Sequence, residues 1–362
     1  MKIREAGWED YRQIAALLTR CGLSPKTREE WEHLWINNPV YKTLTNWPIG
    51  WVAERPDQEI VGYVGNIPLS FEFRGRTILA SSFFSLSVDS RYRGYAGFLI
   101  RRAFNYKVPE LLVGTSVNPA ASKVLNGLRA ARVPAGDWGQ ARFWITNYHG
   151  FVSGLLKHKG WPKLLSYPGS AVLSLKDRFN KADSWMERNR REVGISSNFD
   201  ERFEPFWDEL RRARPERLLA TRSREVLEWH FKYALAQKKV WIVTLGDNSR
   251  LAAYALFRRR DAPEYGLKRM QLVDFQALND DRQALAAALA WALAQCRKEG
   301  IHTLEAFGFR SEKQAVIDSL APYHRRLPSW WYFYKPVNKL LAAELRDPKV
   351  WDPSHFDGDT TL

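Results

Sequence analysis

Apolar and polar positions change period several times along the 362-residue chain, and each change predicts an element. Asp10–Cys21 sets Ile14, Leu17 and Leu18 on one helical face, with Gly22 as its stop. Thr27–Ile36 predicts a second helix, with Thr27 as N-cap and Glu30 three residues on. Strands are expected at Met1–Gly7, Ile49–Glu54 and Glu59–Tyr63, the last extending toward Phe73. After the Arg74-Gly75-Arg76 turn, Thr77–Val88 is apolar and β-branched enough for a buried strand. A basic turn follows, then a helix with Ala96, Leu99, Ile100 and Ala103 on one face. Leu111–Val117, entered after that crossover, is expected to lie parallel to the 77–88 strand. Asn118-Pro119 opens a further helix, and Phe143–Thr146 reads as a last strand of this half.

From about Gly150 to Asn198 the pattern is less regular. Beyond it the same order returns. Helices are predicted at Phe199–Arg212 and Arg224–Leu235, and a hairpin at Val240–Leu245 and Leu251–Arg258. A strand at Met270–Ala277, a helix at Asp280–Lys298, a strand at Ile301–Phe307, a helix at Glu312–Leu320 and a closing strand at Trp330–Tyr334 follow. Arg28-Glu29 with Trp31, Glu32 and Trp35 is similar to Arg224-Glu225 with Leu227, Glu228 and Phe231, and Trp51-Val52 with Tyr63 to Trp241-Ile242 with Tyr254. Shared order at a nearly constant offset points to duplication. The division expected is 1–165, a linker at 166–190, a second copy at 191–345 and a tail at 346–362.

Composition adds three constraints. With 45% hydrophobic and 26% charged residues the chain is globular, and its 16 Trp are expected mainly in the core. A net charge of +15, with both halves basic, favours an anionic ligand. Cys21 and Cys296 are far apart and in no metal-binding spacing, so neither a disulfide framework nor a metal site is expected. No apolar run suits a signal core or a membrane span, and a cytoplasmic location is expected.

The Thr77–Lys107 strand–turn–helix is the strongest chemical signal. Arg91, Arg93, Gly94 and Gly97 crowd a turn that opens a helix, where free amides and the helix dipole suit a phosphate. Arg91-Tyr92-Arg93-Gly94-Tyr95-Ala96 resembles the Gln/Arg-x-x-Gly-x-Gly/Ala pyrophosphate turn of the GNAT-type acyltransferase superfamily. A second register, through Val88, Tyr92, Arg93 and Gly94, also matches, and both place the turn at 91–98. Asn118 and Ala121 resemble the start of that family's fourth helix; its usual tyrosine acid would fall near Leu125 and is absent. The equivalent place in the second half, Leu278-Asn279-Asp280-Asp281-Arg282, has two carboxylates and no glycine.

The resemblance implies an α/β fold of two GNAT-like domains, each a mixed, mainly antiparallel central sheet flanked by helices, the second degenerate. It implies acetyl-coenzyme A or another acyl-coenzyme A as co-substrate, held by Leu86, Ser87, Val88, Arg91, Arg93, Gly94, Tyr95, Ala96, Gly97, Phe98 and Asn118. The acceptor implied is a small amine, an amino sugar or aminoacyl group, between the copies. Glu72, Asp89 and His149 are the candidate acid–base residues, each with a plainer structural reading; Asp274 and His302 are weaker candidates. Two other functions compete: a Fem-like aminoacyl or peptidyl transferase using charged tRNA, and a non-catalytic module binding nucleic acid or a partner. Nucleic acid is the less favoured partner.

Overall fold

The computed structural model describes residues 1–160, 166–178, 191–327 and 330–362. Its fifteen described strands make two mixed, mainly antiparallel sheets. The first contains β1 (Lys2–Glu5), β2 (Gly50–Glu54), β3 (Ile60–Phe73), β4 (Arg76–Val88), β5 (Leu111–Val117) and the short β6 (Ala131–Arg132). The second contains β7 (Gln140–Ile145), β8 (Gly194–Ser196), β10 (Val240–Gly246), β11 (Leu251–Arg259), β12 (Arg269–Ala277), β13 (Thr303–Ala306) and β14 (Tyr323–Arg326). The short β9 (Leu219–Ala220) pairs with β3, and β15 (Trp331–Pro336) completes the first sheet.

Helices cover both sheets. They are α1 (Tyr11–Arg20), α2 (Arg28–Ile36), α3 (Ala96–Phe104), α4 (Pro119–Gly127), α5 (Tyr148–His158), α6 (Ser166–Arg178), α7 (Phe203–Ala213), α8 (Arg224–Ala236), α9 (Arg282–Lys298), α10 (Ser311–Leu320) and α11 (Lys339–Glu344). The sequence signals for several ends act as expected. Thr27 accepts from the Glu30 amide at 3.2 Å while the Glu30 carboxylate accepts from the Thr27 amide at 3.0 Å, a reciprocal cap. Asn118 caps α4, accepting from the Ala121 amide at 2.9 Å.

The sheets exchange strands, which the linear pattern does not reveal. Sheet order is β1-β2-β3-β4-β5-β15-β6 and β14-β7-β13-β12-β11-β10-β8. The strand expected to close the first half, β7, lies between β13 and β14 of the second sheet; the one expected to close the second half, β15, lies between β5 and β6 of the first. Alternating apolar side chains specify that a segment pairs and which face it buries, but not which sheet it joins. Of the predicted linker, residues 179–190 lie outside the described residues, and residues 166–178 form α6.

Residues 346–362, expected as a tail, are largely buried. Trp351 packs with Tyr332 and Tyr334, and Phe356 with His230 and Phe231. Polar anchors join them to the second sheet. Arg222 donates to both Asp274 oxygens, at 2.9 and 3.0 Å, and to Asp357 at 3.0 Å, while Lys313 donates to Asp352 at 2.7 Å. All five groups are buried, so each charge depends on the others.

The matched segments α2 and α8 face each other. His33 Nε2 meets the Trp229 carbonyl at 3.0 Å, and Trp229 Nε1 donates to the His33 carbonyl at 3.0 Å. Arg28 with Glu32, at 2.7 Å, and Arg224 with Glu228, at 2.9 Å, occupy matching turns. This reciprocity is what a local two-fold relation between two helices produces.

Candidate functional site

The parallel pair β4 and β5 forms the floor of the site. Their register runs only from Ala80 opposite Leu111 to Ser82 opposite Val113. Beyond that the two strands part, although β4 continues to Val88 and β5 to Val117. A bulge in β4 accompanies the parting. Tyr63 faces Ser87 and Gly65 faces Phe84, so Val64 opposes both Ser85 and Leu86. Ser85 adopts a left-handed conformation, φ 51°, unusual for a residue with a side chain.

A cavity of about 350 Å³ fills the opening. Leu86, Gly114 and Val117 line it from the strands, Ile100 and Phe104 from α3, and Leu125 from α4. Asn118 and Ser116 supply polar edges, and Asp359 supplies the carboxylate. Leu125, where the family resemblance places a tyrosine, is buried and contributes only apolar surface.

At the mouth, Ser90–Tyr95 is a 3-10 turn leading straight into α3. Asp89 caps it, accepting from the Arg91 amide at 3.1 Å. Arg91, Arg93 and Gly94 are exposed, and among the described residues neither arginine has an ion-pair partner. Added Cβ atoms at Gly94 and Gly97 would meet nothing within 4 Å, so the approach to the helix start is open. Unpaired cations beside an accessible helix N-terminus form a setting that fits a pyrophosphate. The second sheet offers no equivalent: Asp281 caps α9, and Asp280 pairs with Arg214 and Arg217, each at 2.7 Å.

The other sequence candidates disperse. Leu86 and Asn118 line the cavity; Ser87 is buried with its hydroxyl unpartnered, and Val88 packs against the α3 side of the sheet. Tyr95 and Phe98 pack together at 5.8 Å beside Ala96 on the turn. Glu72 accepts from Thr77 Oγ1 at 2.7 Å at the β3–β4 hairpin, roughly 25 Å along the strand from the bulge. Besides capping the turn, Asp89 lies 3.5 Å from Arg20. His149 stands on α5 against Tyr167, with Ser166 Oγ at 3.4 Å. His302 accepts from the Lys268 amide, and Asp274 is taken up by Arg222 and Tyr254. None of Glu72, Asp89 and His149 is brought to the cavity.

Asp359 is the carboxylate that sequence reasoning missed. Thr115 Oγ1 donates to it at 2.7 Å and Ser116 Oγ at 3.4 Å. Burial raises its pKa, with the Thr115 bond opposing. Gly358 lets the backbone approach this closely: a Cβ there would lie 2.4 Å from Thr115 Oγ1. A lone Asp in an apparent tail carries no signal of this placement.

No family model matches the chain, and no curated protein matches it. Solved structures do. A GCN5-related N-acetyltransferase from Anabaena variabilis aligns with 93% of this chain and 73% of its own, at TM-score 0.52 and 13% identity. Saccharomyces cerevisiae N-myristoyltransferase with bound myristoyl-CoA aligns over 92% and 78%, at 0.58 and 12%. A probable N-acyltransferase from Enterococcus faecalis aligns over 93% and 72%, at 0.55 and 13%. The chain thus has the GNAT-type fold, across both of its sheets.

Proposed function

We propose that the protein is an acyl-coenzyme A-dependent N-acyltransferase acting on a small amine. The observation that carries this reading is the opening between β4 and β5, with a bulge on one side and an unpaired basic turn at its mouth. Residues 91–98 would hold the pyrophosphate, and Leu86, Ser87 and Val88 the pantetheine arm. Asn118 would border the reacting end. The solved relatives with this fold, one of them with bound myristoyl-CoA, support the class without choosing the acyl chain.

In this reading Asp359 is the general base. Its carboxylate takes a proton from the acceptor ammonium, and the freed nitrogen lone pair attacks the thioester carbonyl. The new C–N bond forms as the C–S bond breaks, and the leaving sulfur takes up a proton to become the thiol. A base with an elevated pKa suits that exchange better than an ordinary carboxylate. Leu125 leaves α4 with no proton donor at its place, so the sulfur draws its proton from water or through Asp359. The second sheet and residues 346–362 would wall the acceptor side, in the manner of a second copy that has lost its own phosphate turn.

Calorimetric titration with acetyl-coenzyme A and a longer acyl-coenzyme A tests the reading. Binding is expected for at least one, weakened tenfold or more, about 1.4 kcal/mol, by Arg93→Glu. No binding, or binding indifferent to Arg93→Glu, overturns it. Binding of charged tRNA alone would favour a Fem-like transferase instead.

A further inference from the structure

Lys26, Arg258 and Arg260 share one electrostatic neighbourhood without carboxylate ion-pair partners among the described residues, and Asp359 acts on the first and last of them. Along β11, Tyr254 and Leu256 face the core that joins the two halves, whereas Ala253, Ala255 and Phe257 face the second sheet's own core. Alternation puts Arg258 on the joining face, and Arg260 two residues further continues it. Lys26 approaches from the loop between α1 and α2; the charges that act on it include Arg258, Arg260 and Asp359. Arg260 in turn feels Arg258 and Asp359 and lies over the Trp330 ring at 4.9 Å.

None of the three forms an ion pair or a side-chain hydrogen bond among the described residues. Arg258 Nη1 and Arg260 Nε are buried atoms without a partner. Asp359, a carboxylate that acts on both Lys26 and Arg260, is occupied by Thr115 and Ser116. Glu30 is a further carboxylate acting on Lys26, but it lies on α2 and caps Thr27. Burial without a counter-ion pulls the pKa of Arg258 down to about 10 and that of Arg260 to about 9, so both guanidiniums remain cationic at neutral pH, and burial lowers that of Lys26 as well. Two unpartnered guanidiniums and an ammonium gathered in a half-buried place repel one another, and an oxyanion relieves the repulsion while satisfying the open N–H groups.

We infer that Lys26, Arg258 and Arg260 form an oxyanion subsite that grips a carboxylate or phosphate on the amine acceptor. The assignment of that anion to the acceptor rests on the acyltransferase reading; the anion site itself does not. With its anion on the triad, such an acceptor presents its ammonium to Asp359, the carboxylate shared by the cavity and the cationic field. The acceptor class is then an amine that also carries an oxyanion, as in an amino acid or an amino-sugar phosphate, rather than a neutral or polycationic amine.

The test titrates inorganic phosphate and succinate into the protein without coenzyme A. Each probe is measured on the natural sequence, Arg93→Glu, Arg260→Gln and Lys26→Gln. Saturable binding of at least one probe, weakened fivefold or more by Arg260→Gln and Lys26→Gln but retained by Arg93→Glu, supports the subsite. Preference between the probes identifies the anion. If Arg260→Gln does not fold, Lys26→Gln, on a loop, carries the comparison. Binding that is absent, or is lost only with Arg93→Glu, overturns the inference. If acetyl-coenzyme A fails to bind while this anion site behaves as expected, the acyltransferase reading fails and the subsite stands. If acetyl-coenzyme A binds while neither anion does, the subsite alone fails.

Discussion

At the scale of single residues, the proposed chemistry turns on Asp359. Its elevated pKa means that it holds a proton to higher pH than a free carboxylate. A base acts only when ionised, so kcat is expected to fall as pH is lowered through this raised value, with an acid limb displaced upward from the ordinary range near 4. Asp359→Asn is expected to lower kcat 100-fold or more and leave acyl-coenzyme A affinity within a few-fold, checked by steady-state kinetics beside calorimetry. Equal loss of both would instead point to collapse of the Thr115–Ser116 contact. Arg222 makes the complementary case. Replacing it by Leu strands Asp274 and Asp357 in the interior, and the expected cost is about 3–5 kcal/mol. Asp274 has a depressed pKa in the folded protein, so its contribution is present at neutral pH and disappears as acid protonates it. Burial raises the pKa of Asp357 to about 7, so the Arg222→Leu deficit, read from urea midpoints, should shrink as pH falls from neutral, first as Asp357 takes up its proton and then as Asp274 does.

At the scale of elements, the bulge in β4 re-aims the strand at the cavity. The conformation of Ser85 is one that glycine adopts freely. Ser85→Gly is expected to be within about 1 kcal/mol of neutral and to keep activity, whereas β-branched Ser85→Val should destabilise by more than that. Comparison of the two variants in urea melts separates strain at this position from loss of a side-chain contact. Much of this level was legible from sequence. The Thr27 and Asn118 caps, the 74–76 turn, and the parallel run of 77–88 beside 111–117 all follow from local spacing and turn chemistry. The basic turn was legible because Arg and Gly cluster where an apolar strand meets an amphipathic helix. The bulge was not, because Phe84-Ser85-Leu86-Ser87 contains no glycine and alternates as a regular strand would. Asp359 escaped for a related reason: placement by a distant Thr115 leaves no trace in neighbouring residues.

At the scale of the whole molecule, the exchange of β7 and β15 ties the halves together. Either half alone would expose an unfilled position in its sheet, with unpaired backbone groups. Fragments 1–178 and 191–362 are expected to be insoluble or unfolded apart and to assemble when expressed together, as monitored by size-exclusion chromatography and circular dichroism. Independent cooperative folding of fragment 1–178 would contradict that expectation. Sequence periodicity predicted most strands and helices in their order along the chain, but strand exchange keeps that order intact and changes only the partner. It is therefore invisible to any reading along the chain.

The exchange also sets a schedule for synthesis. Every described strand of the second sheet precedes Trp331 in the chain, so β5 and β6 emerge long before the strand that belongs between them. The residues that carry Asp359 come later still. Contacts this distant in sequence make for slow closure, and an early half with a vacant strand position invites pairing with other chains. The basic turn at 91–98 thus emerges well before both β15 and the segment that carries Asp359. On the proposed reading, catalytic competence belongs only to chains whose two sheets have already closed upon each other.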